Sequence, residues 1–499
     1  MNKSKLGAKN VIWGIVAQIV TISLGIIIPR LVLVNLGSES NGLMNSISSV
    51  LTYLSLLEAG VGTATIQALY KPIADKDRKS INAVLSATHY FYRRTGYIYL
   101  VIVIALSALY TCVVETTLPR LSVFLVVILS GLSGVLSYFF QGKYKLLLSA
   151  EGKGYINTNI ATITHVFVSI TKAIVLISGG NVVAIQTIYF IYNLIQVIFF
   201  VLYIHKKYQW IDLSEAPDFD AISQKNAVLM HQIASLIFYN TDTVILTVLT
   251  SLKVVSVYSM YAMIFGMVKS IAVVLSDSFV FALGQSYTNK EKFMKMFNAY
   301  EVYNLTMTFS LYCVTGILIL PFLQIYTRGV TDINYLDRYV ALLFLLYYLM
   351  DNGRKPSGVV INIAQQFEET KWRAMIEAII NLSSSLLLTY TFGIYGVLMG
   401  TIIALLYRAN DMIIYASKIL ERSPWNTYKR WMWNTIILSG IILVSRVMPI
   451  KIGSFPEFLI WGAGLSVIII PIFILINSAL EPESAKYAFS IFRNMVRKK

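Results

Sequence analysis

The chain is poor in charged residues and in the groupings that build soluble active sites. Only 13% of its 499 residues are charged, whereas soluble domains carry about 25%. The chain therefore has too few polar residues to cover the surfaces of several soluble domains. Its two cysteines exclude a disulfide framework, and its four histidines lack the short spacings of zinc sites. A Gly-rich phosphate loop and a nucleophile elbow are missing as well. We therefore expect no enzyme, no catalytic residue, no metal site and no cofactor.

Long apolar runs dominate the chain, and 57% of its residues are hydrophobic. A bilayer core needs about 20 apolar residues per helix. The sequence therefore predicts an all-α integral membrane protein with about fourteen transmembrane helices. The predicted spans are 11–28, 42–69, 84–112, 119–140, 155–178, 182–204, 223–250, 254–283, 300–326, 335–361, 371–392, 394–418, 431–448 and 456–478.

Basic residues indicate the orientation of these spans. With both termini and the even-numbered loops in the cytoplasm, 27 of the 41 Lys and Arg residues lie on that side and seven lie on the other. This asymmetry follows the positive-inside rule, and it explains much of the +16 charge without nucleic acid. The outer seven are Arg30, Arg120, Lys253, Arg328, Arg338, Arg446 and Lys451.

An internal repeat appears when the chain is shifted by 214 residues. Gly179 then falls on Gly393, and Lys76-Asp77-Arg78 falls on Lys290-Glu291-Lys292. Spans one to six thus match spans seven to twelve in the same orientation, a layout typical of transporters. The predicted organisation is an N-lobe (1–210), a cytoplasmic linker (211–222), a C-lobe (223–420), two additional spans (421–480) and a basic tail (481–499).

The tail carries apolar residues at helical spacing between basic ones. Two interpretations stay open for it: an amphipathic helix lying on the anionic cytoplasmic leaflet, or a basic solvated tail.

Charges inside spans are expensive, so they face a cavity or one another. Arg408 and Asp411, and likewise Asp351 and Arg354, are spaced i, i+3, which favours mutual ion pairs. Prolines at 29 and 356 are expected to end the first span and to interrupt the tenth. Glu58, Asp242 and Lys269 have no opposite charge one turn away and favour a cavity-facing role, whereas Lys172 could also extend to the outer head groups.

Several runs together resemble bacterial polysaccharide flippases, the Wzx-type translocases of the multidrug/oligosaccharidyl-lipid/polysaccharide exporter superfamily. The resemblance covers residues 10 to about 420. It is carried by Pro29-Arg30, Asn41-Gly42-Leu43, Leu57-Glu58-Ala59-Gly60-Val61-Gly62, Tyr92-Arg93-Arg94-Thr95-Gly96, Thr241-Asp242, Glu377-Ala378-Ile379-Ile380-Asn381 and Gly393-Ile394-Tyr395-Gly396-Val397.

The resemblance implies a two-lobe exporter in the bacterial inner membrane, working as a monomer by alternating access. Its implied cargo is an undecaprenyl-pyrophosphate-linked oligosaccharide for surface polysaccharide, with a polymerase and a chain-length regulator as partners besides membrane lipids. Cations would hold the pyrophosphate, and an acidic residue would couple transport to an ion gradient. The candidate substrate-binding residues are Arg30, Lys172, Lys269 and Arg354, and the candidate coupling or gating residues are Asp242, Glu58 and Glu377.

Three competing functions remain at this point. A lipid II flippase of the same superfamily would show several cavity arginines in the first two spans, where only Arg30 is present. A multidrug/cation antiporter on the same fold would need an acidic cavity. A membrane glycan polymerase should show a large outer loop, whereas the longest outer connection, about Tyr326 to Tyr335, is short.

Overall fold

Helices make up most of the chain in the part that the structure describes. The computed structural model describes residues 3–58, 60–222, 226–447 and 452–497, and these ranges contain no β-strand. Within them, eleven helices are long and apolar enough to cross a membrane. The predicted all-α membrane architecture is confirmed, with the second and tenth spans divided between two helices each and the thirteenth lying on a 23-residue helix that is not among the eleven.

Contacts divide the chain into two compact units. Unit 1 comprises Met1–Ser256 and Gly329–Ile333, and unit 2 comprises Val257–Arg328 and Asn334–Lys499. Unit 1 includes the helix that the sequence repeat assigns to the second lobe. The lobe boundaries drawn from the repeat stay a prediction. Units defined by contacts and lobes defined by a sequence repeat can end at different residues.

Unit 1 is built from eight helices and the first residues of a ninth. They are α1 (Lys3–Tyr53), α2 (Val61–Asp75), α3 (Arg78–Val113), α4 (Arg120–Leu136), α5 (Gly142–Ala150), α6 (Gly154–Ile177), α7 (Val182–Lys207), α8 (Asn226–Leu249) and α9 (Leu252–Ser286).

Helix α1 does not end at Pro29, so the expected end of the first span is wrong. The helix runs through the proline and breaks at Gly37, whose φ is 79° and whose ψ is 174°. Glycine adopts this conformation readily because it has no Cβ. The backbone N–H of Ser38 donates to Asp332 at 3.0 Å, and its hydroxyl donates at 2.6 Å. Helices in membranes tolerate a proline where other groups satisfy the freed carbonyl, whereas the backbone torsions at Gly37 interrupt the helix itself.

The fourth span is longer than the predicted 119–140. Helix α4 continues through a π-helical turn, Ser137–Gln141, into α5, and together they form one apolar helix from Arg120 to Ala150. The apolar run Leu146-Leu147-Leu148 follows the two lysines that the sequence had indicated as the start of a loop. Lys143 and Lys145 therefore lie within a helix rather than in a loop.

The segment after α7 is fastened to unit 1. The side chains of Asn82 and Ser86 donate to the carbonyls of Trp210 and Leu213, and the N–H of Asp218 donates to the carbonyl of Ala83. At its start, the Tyr208 hydroxyl donates to Glu151 at 2.5 Å. Burial and the Glu151 carboxylate raise the pKa of Tyr208, so the phenol keeps its proton for this bond.

Unit 2 contains the rest of α9 and eight further helices. They are α10 (Lys290–Tyr326), α11 (Arg338–Gly353), α12 (Lys355–Ile363), α13 (Phe367–Phe392), α14 (Ile394–Ile419), α15 (Trp425–Val447), α16 (Phe455–Leu480) and α17 (Pro482–Arg497). The expected interruption at Pro356 is confirmed, since α11 ends at Gly353 and the proline lies in the first turn of α12. The tail is helical along α17.

The 214-residue offset also relates backbone breaks along the chain. Gly179 and Gly393 both have positive φ values, 83° and 56°, and each joins two consecutive helices. The same offset carries the break at Gly37 to Ser251, which lies between α8 and α9. Equivalent turns therefore recur at the positions where the sequence repeat places them.

Candidate functional site

A polar cavity of about 540 Å³ lies within unit 1. We call it the unit 1 slot. Cavities of about 300–1,000 Å³ are typical of small-molecule sites. Its apolar lining consists of Met44, Ile47, Leu51 and Gly134, and its polar lining consists of Ser48, Thr52, Tyr99, Ser130, Ser133, Ser137, Gln141, Lys145, Lys172, Gln186, Tyr189, Asn193 and Gln196.

The polar residues of the slot form helical stripes. On α7, Gln186, Tyr189, Asn193 and Gln196 follow one another at intervals of three or four residues, so they share one face. Ser130, Ser133, Ser137 and Gln141 form a similar stripe along α4 and the π-helical turn. Such π-turns are frequent at functional sites. These residues are uncharged, so the charges inside the spans do not reveal them; their three-to-four-residue spacing is the signal that the sequence carries.

Two lysines bring positive charge into the slot. Lys172 is 8% exposed, and its ammonium lies 5.1 Å from the ring centroid of Tyr189. Lys145 is half-buried on α5. Among the described residues, neither ammonium has a carboxylate oxygen within 4.0 Å. The lining of the slot contains no Asp and no Glu among these residues. The predicted candidate Lys172 thus faces a cavity, and it is joined there by Lys145, which the sequence analysis had placed in a loop.

Glu58 lies near the slot without lining it. It ends the 3₁₀ turn Leu54–Glu58 between α1 and α2. Its carboxylate interacts electrostatically with Lys145 and with the Tyr92 phenol. Tyr92 in turn packs on Gly142, where any Cβ would lie 2.3 Å from the tyrosine ring. Glu58 therefore lies where its charge acts on Lys145, and its gating role stays a prediction.

Three of the other candidates belong to a chain of ion pairs within unit 2, which we call the unit 2 charge network. Lys269 pairs with Asp351 at 2.6 Å, and Asp351 pairs with Arg354 at 2.9 Å. Arg354 also pairs with Glu377. Lys269, Arg354 and Glu377 are therefore brought together, but each is matched by an opposite charge inside its own unit.

The network continues from Glu377 onto α14. Arg408 lies 3.4 Å from Glu377 and 2.5 Å from Asp411, and Asp411 pairs with Arg373. The predicted i, i+3 pairs of Asp351 with Arg354 and of Arg408 with Asp411 are both confirmed. The network thus joins helices α9, α11, α13 and α14. Charges in apolar surroundings are costly unless an opposite charge pairs with them, and each charge of the network has such a partner.

The remaining two candidates lie on α1 and α8. Arg30 is half-buried, one residue after Pro29 and seven before the break at Gly37. Asp242 is 1% exposed, and its neighbour Thr241 shares a hydrogen bond of 2.7 Å with the Tyr53 hydroxyl. Neither Arg30 nor Asp242 lines the unit 1 slot. The slot therefore contains one of the seven predicted candidates, Lys172.

Comparison with solved structures shows which fold this is. The lipid II flippase MurJ in an inward closed conformation matches with a TM-score of 0.72 at 13% identity, over 94% of this chain and 99% of that one. An inward-facing multidrug resistance MATE family transporter of the MOP superfamily matches with a TM-score of 0.60 at 13% identity, over 81% and 96%.

A third match is a MOP superfamily transporter from Pyrococcus furiosus, described as having a binding pocket of reverse polarity. Its TM-score is 0.59 at 14% identity, over 85% of this chain and 98% of that one. No protein-family model and no curated protein matches the sequence. These three structures are MOP-superfamily transporters that align over most of the chain. The chain therefore has the MOP-superfamily transporter fold.

Proposed function

We propose that the protein is a flippase that moves a lipid-linked, anionic oligosaccharide across the bacterial inner membrane by alternating access. The observation that carries this proposal is the unit 1 slot, which combines two lysines with amides and hydroxyls and has no carboxylate in its lining. Lysines attract anions, and the polar groups between them suit sugar hydroxyls. The cargo that joins these chemistries is an undecaprenyl-pyrophosphate-linked repeat unit for surface polysaccharide.

A lipid II flippase is the second candidate, favoured by the match to MurJ over nearly the whole chain. Lipid II is also a lipid-linked saccharide, so the slot chemistry suits both cargoes. A cation antiporter is disfavoured, because an organic cation entering the slot would meet two lysine ammoniums and no carboxylate in its lining.

Transfer in proteoliposomes tests the proposal. Purified protein is reconstituted with a fluorescent polyprenyl-diphosphate oligosaccharide, with lipid II or with a fluorescent organic cation, and protein-free liposomes serve as the control. We expect the oligosaccharide in the inner leaflet to become accessible to an impermeant glycan oxidant only when protein is present. Faster transfer of lipid II than of the oligosaccharide would favour the second candidate. Uptake of the cation with no movement of either glycolipid would overturn both.

Orientation has its own test, because the positive-inside rule predicts that both termini lie in the cytoplasm. In a Cys112→Ser background, single cysteines replace the exposed residues Ser178, Ser214 and Ser490. We expect an impermeant maleimide applied to whole cells to label Ser178→Cys alone and to label all three after permeabilisation. Native Cys313 is buried and stays in place. Labelling of Ser214→Cys in intact cells would contradict the positive-inside assignment.

A further inference from the structure

The two lysines of the unit 1 slot lie near its opposite ends. Ala150 and Gly154 flank the turn between α5 and α6, so both mark the same end of the unit. Lys145 lies five residues before Ala150 and Lys172 lies eighteen after Gly154, which at 1.5 Å per residue places them about 8 and 27 Å from that end. Their Cα atoms are thus separated by about 20 Å along the helices.

The rest of the lining agrees with an elongated shape. Ser130 and Lys145 are fifteen residues apart on the helix formed by α4 and α5, which corresponds to about 22 Å. Gln186 and Gln196 are ten residues apart on α7, or about 15 Å. The slot therefore extends along the helix axes, with a cation near each end.

A single diphosphate is much shorter than the separation of the two lysine Cα atoms, because its two phosphates share one bridging oxygen, and the Lys172 ammonium lies over the Tyr189 ring at its own end of the slot. A buried ammonium without a counter-ion is costly. Lys172 is 8% exposed, and its ammonium faces the Tyr189 ring with no carboxylate oxygen within 4.0 Å in the described part of the chain. A second anionic group at the Lys172 end would compensate that buried charge.

The groups between the lysines favour carbohydrate. Gln141, Asn193 and Gln196 offer both donors and acceptors, which sugar hydroxyls require. The buried Oε1 of Gln141 accepts no hydrogen bond from the described residues. The Asn193 amide nitrogen donates to the Tyr189 carbonyl at 2.7 Å, and Asn193 lines the slot one turn after Tyr189.

We infer that the unit 1 slot binds an extended glycan with two separated anionic groups, its diphosphate near Lys145 and a carboxylate-bearing sugar near Lys172. The inference rests on the proposed function and narrows it to acidic glycans. Lys145 lies near the end that the proposed orientation places in the cytoplasm, where the diphosphate of an inner-leaflet lipid would be. The glycan would then extend past the amides toward Lys172.

Two matched probes test this inference. Both are polyprenyl-diphosphate oligosaccharides of the same length, and they differ only in one distal sugar, a hexose or the corresponding hexuronic acid. Transfer of each is measured in proteoliposomes for the wild type, Lys145→Gln, Lys172→Gln, Lys172→Arg and the control Lys207→Gln. Lys207 is exposed at the end of α7 and lies outside the slot lining. Thermal midpoints in detergent show whether each variant is folded.

We expect Lys172→Gln to slow the acidic probe about tenfold or more while changing the neutral probe less than twofold. Lys172→Arg should recover part of the loss, and Lys145→Gln should slow both probes. Equal losses on both probes for Lys172→Gln, or no loss on either, would overturn the inference while the protein remains a flippase. If the wild type moves neither probe, the proposed function fails instead.

Discussion

Replacing Gly42 with alanine is expected to remove most of the folded protein. A Cβ at this position would lie 1.7 Å from the carbonyl oxygen of Leu252 and 2.6 Å from its carbonyl carbon. Both atoms are backbone at the start of α9, so no rotamer change can relieve the overlap. Overpacking by side chains alone costs about 1–3 kcal/mol, and separating two helix backbones should cost more.

The loss should be visible as a smaller monodisperse peak in detergent chromatography and a lower thermal midpoint. Gly440→Ala is the matched control, since Gly440 lies inside α15 and a Cβ there would have no described atom within 4 Å. Alanine in a helix interior is favoured over glycine by roughly 0.5–1 kcal/mol, so this control should keep or raise the midpoint. A wild-type midpoint for Gly42→Ala would show that α1 and α9 do not approach this closely.

The same contact shows what the sequence could and could not predict. Apolar run length predicts the spans and the basic asymmetry predicts their orientation, because both depend on local composition. The role of Gly42 depends on Leu252, a residue 210 positions away, and nothing local to either residue signals the contact. Asn41, next to Gly42, donates to Ser256 at 2.7 Å, so this helix crossing is built from two small or polar contacts that only the fold brings together.

Ion pairs in the spans are predictable from the sequence when both partners lie on one helix, and not when they lie on different helices. The sequence correctly predicts the pairs Asp351–Arg354 and Arg408–Asp411, because i, i+3 spacing on one helix fixes their proximity. The link from Arg354 to Glu377 and the link from Lys269 to Asp351 join different helices. Lys269 therefore looked like an isolated charge in the sequence, whereas the fold pairs it with Asp351 and pairs Glu377 with Arg354.

Lys145 is the opposite case, a functional candidate hidden by the span assignment. Two lysines within three residues ended the predicted fourth span at 140, although the helix continues to Ala150. Membrane helices admit lysines that face a polar cavity, and the stripe Ser130, Ser133, Ser137 and Gln141 leads along the same helix toward Lys145. The periodic polar stripe in the sequence therefore indicates that the helix continues to Lys145 with one polar face.

A second buried cluster in unit 2 joins the last helices to α10. Glu301 on α10 is 0% exposed, and its carboxylate receives hydrogen bonds from Arg422 at 2.7 and 2.9 Å. Arg430 on α15 pairs with the same carboxylate and reaches Glu481, between α16 and α17, at 3.1 Å. Thr427 donates to Glu301 at 2.7 Å. One carboxylate thus serves two buried guanidinium groups.

Replacing Glu301 with glutamine should destabilise the protein by about 3–5 kcal/mol, because it leaves two buried arginines without their shared countercharge. Glutamine keeps the shape of the side chain, so the effect reports charge rather than a cavity. The readouts are the thermal midpoint in detergent and the yield of monodisperse protein. Glu421→Gln is the matched control: its pair with Lys290 has side chains 71% and 66% exposed, and such pairs contribute about 0–1 kcal/mol. If both variants shift the midpoint equally, Glu301 does not hold the C-terminal helices to α10.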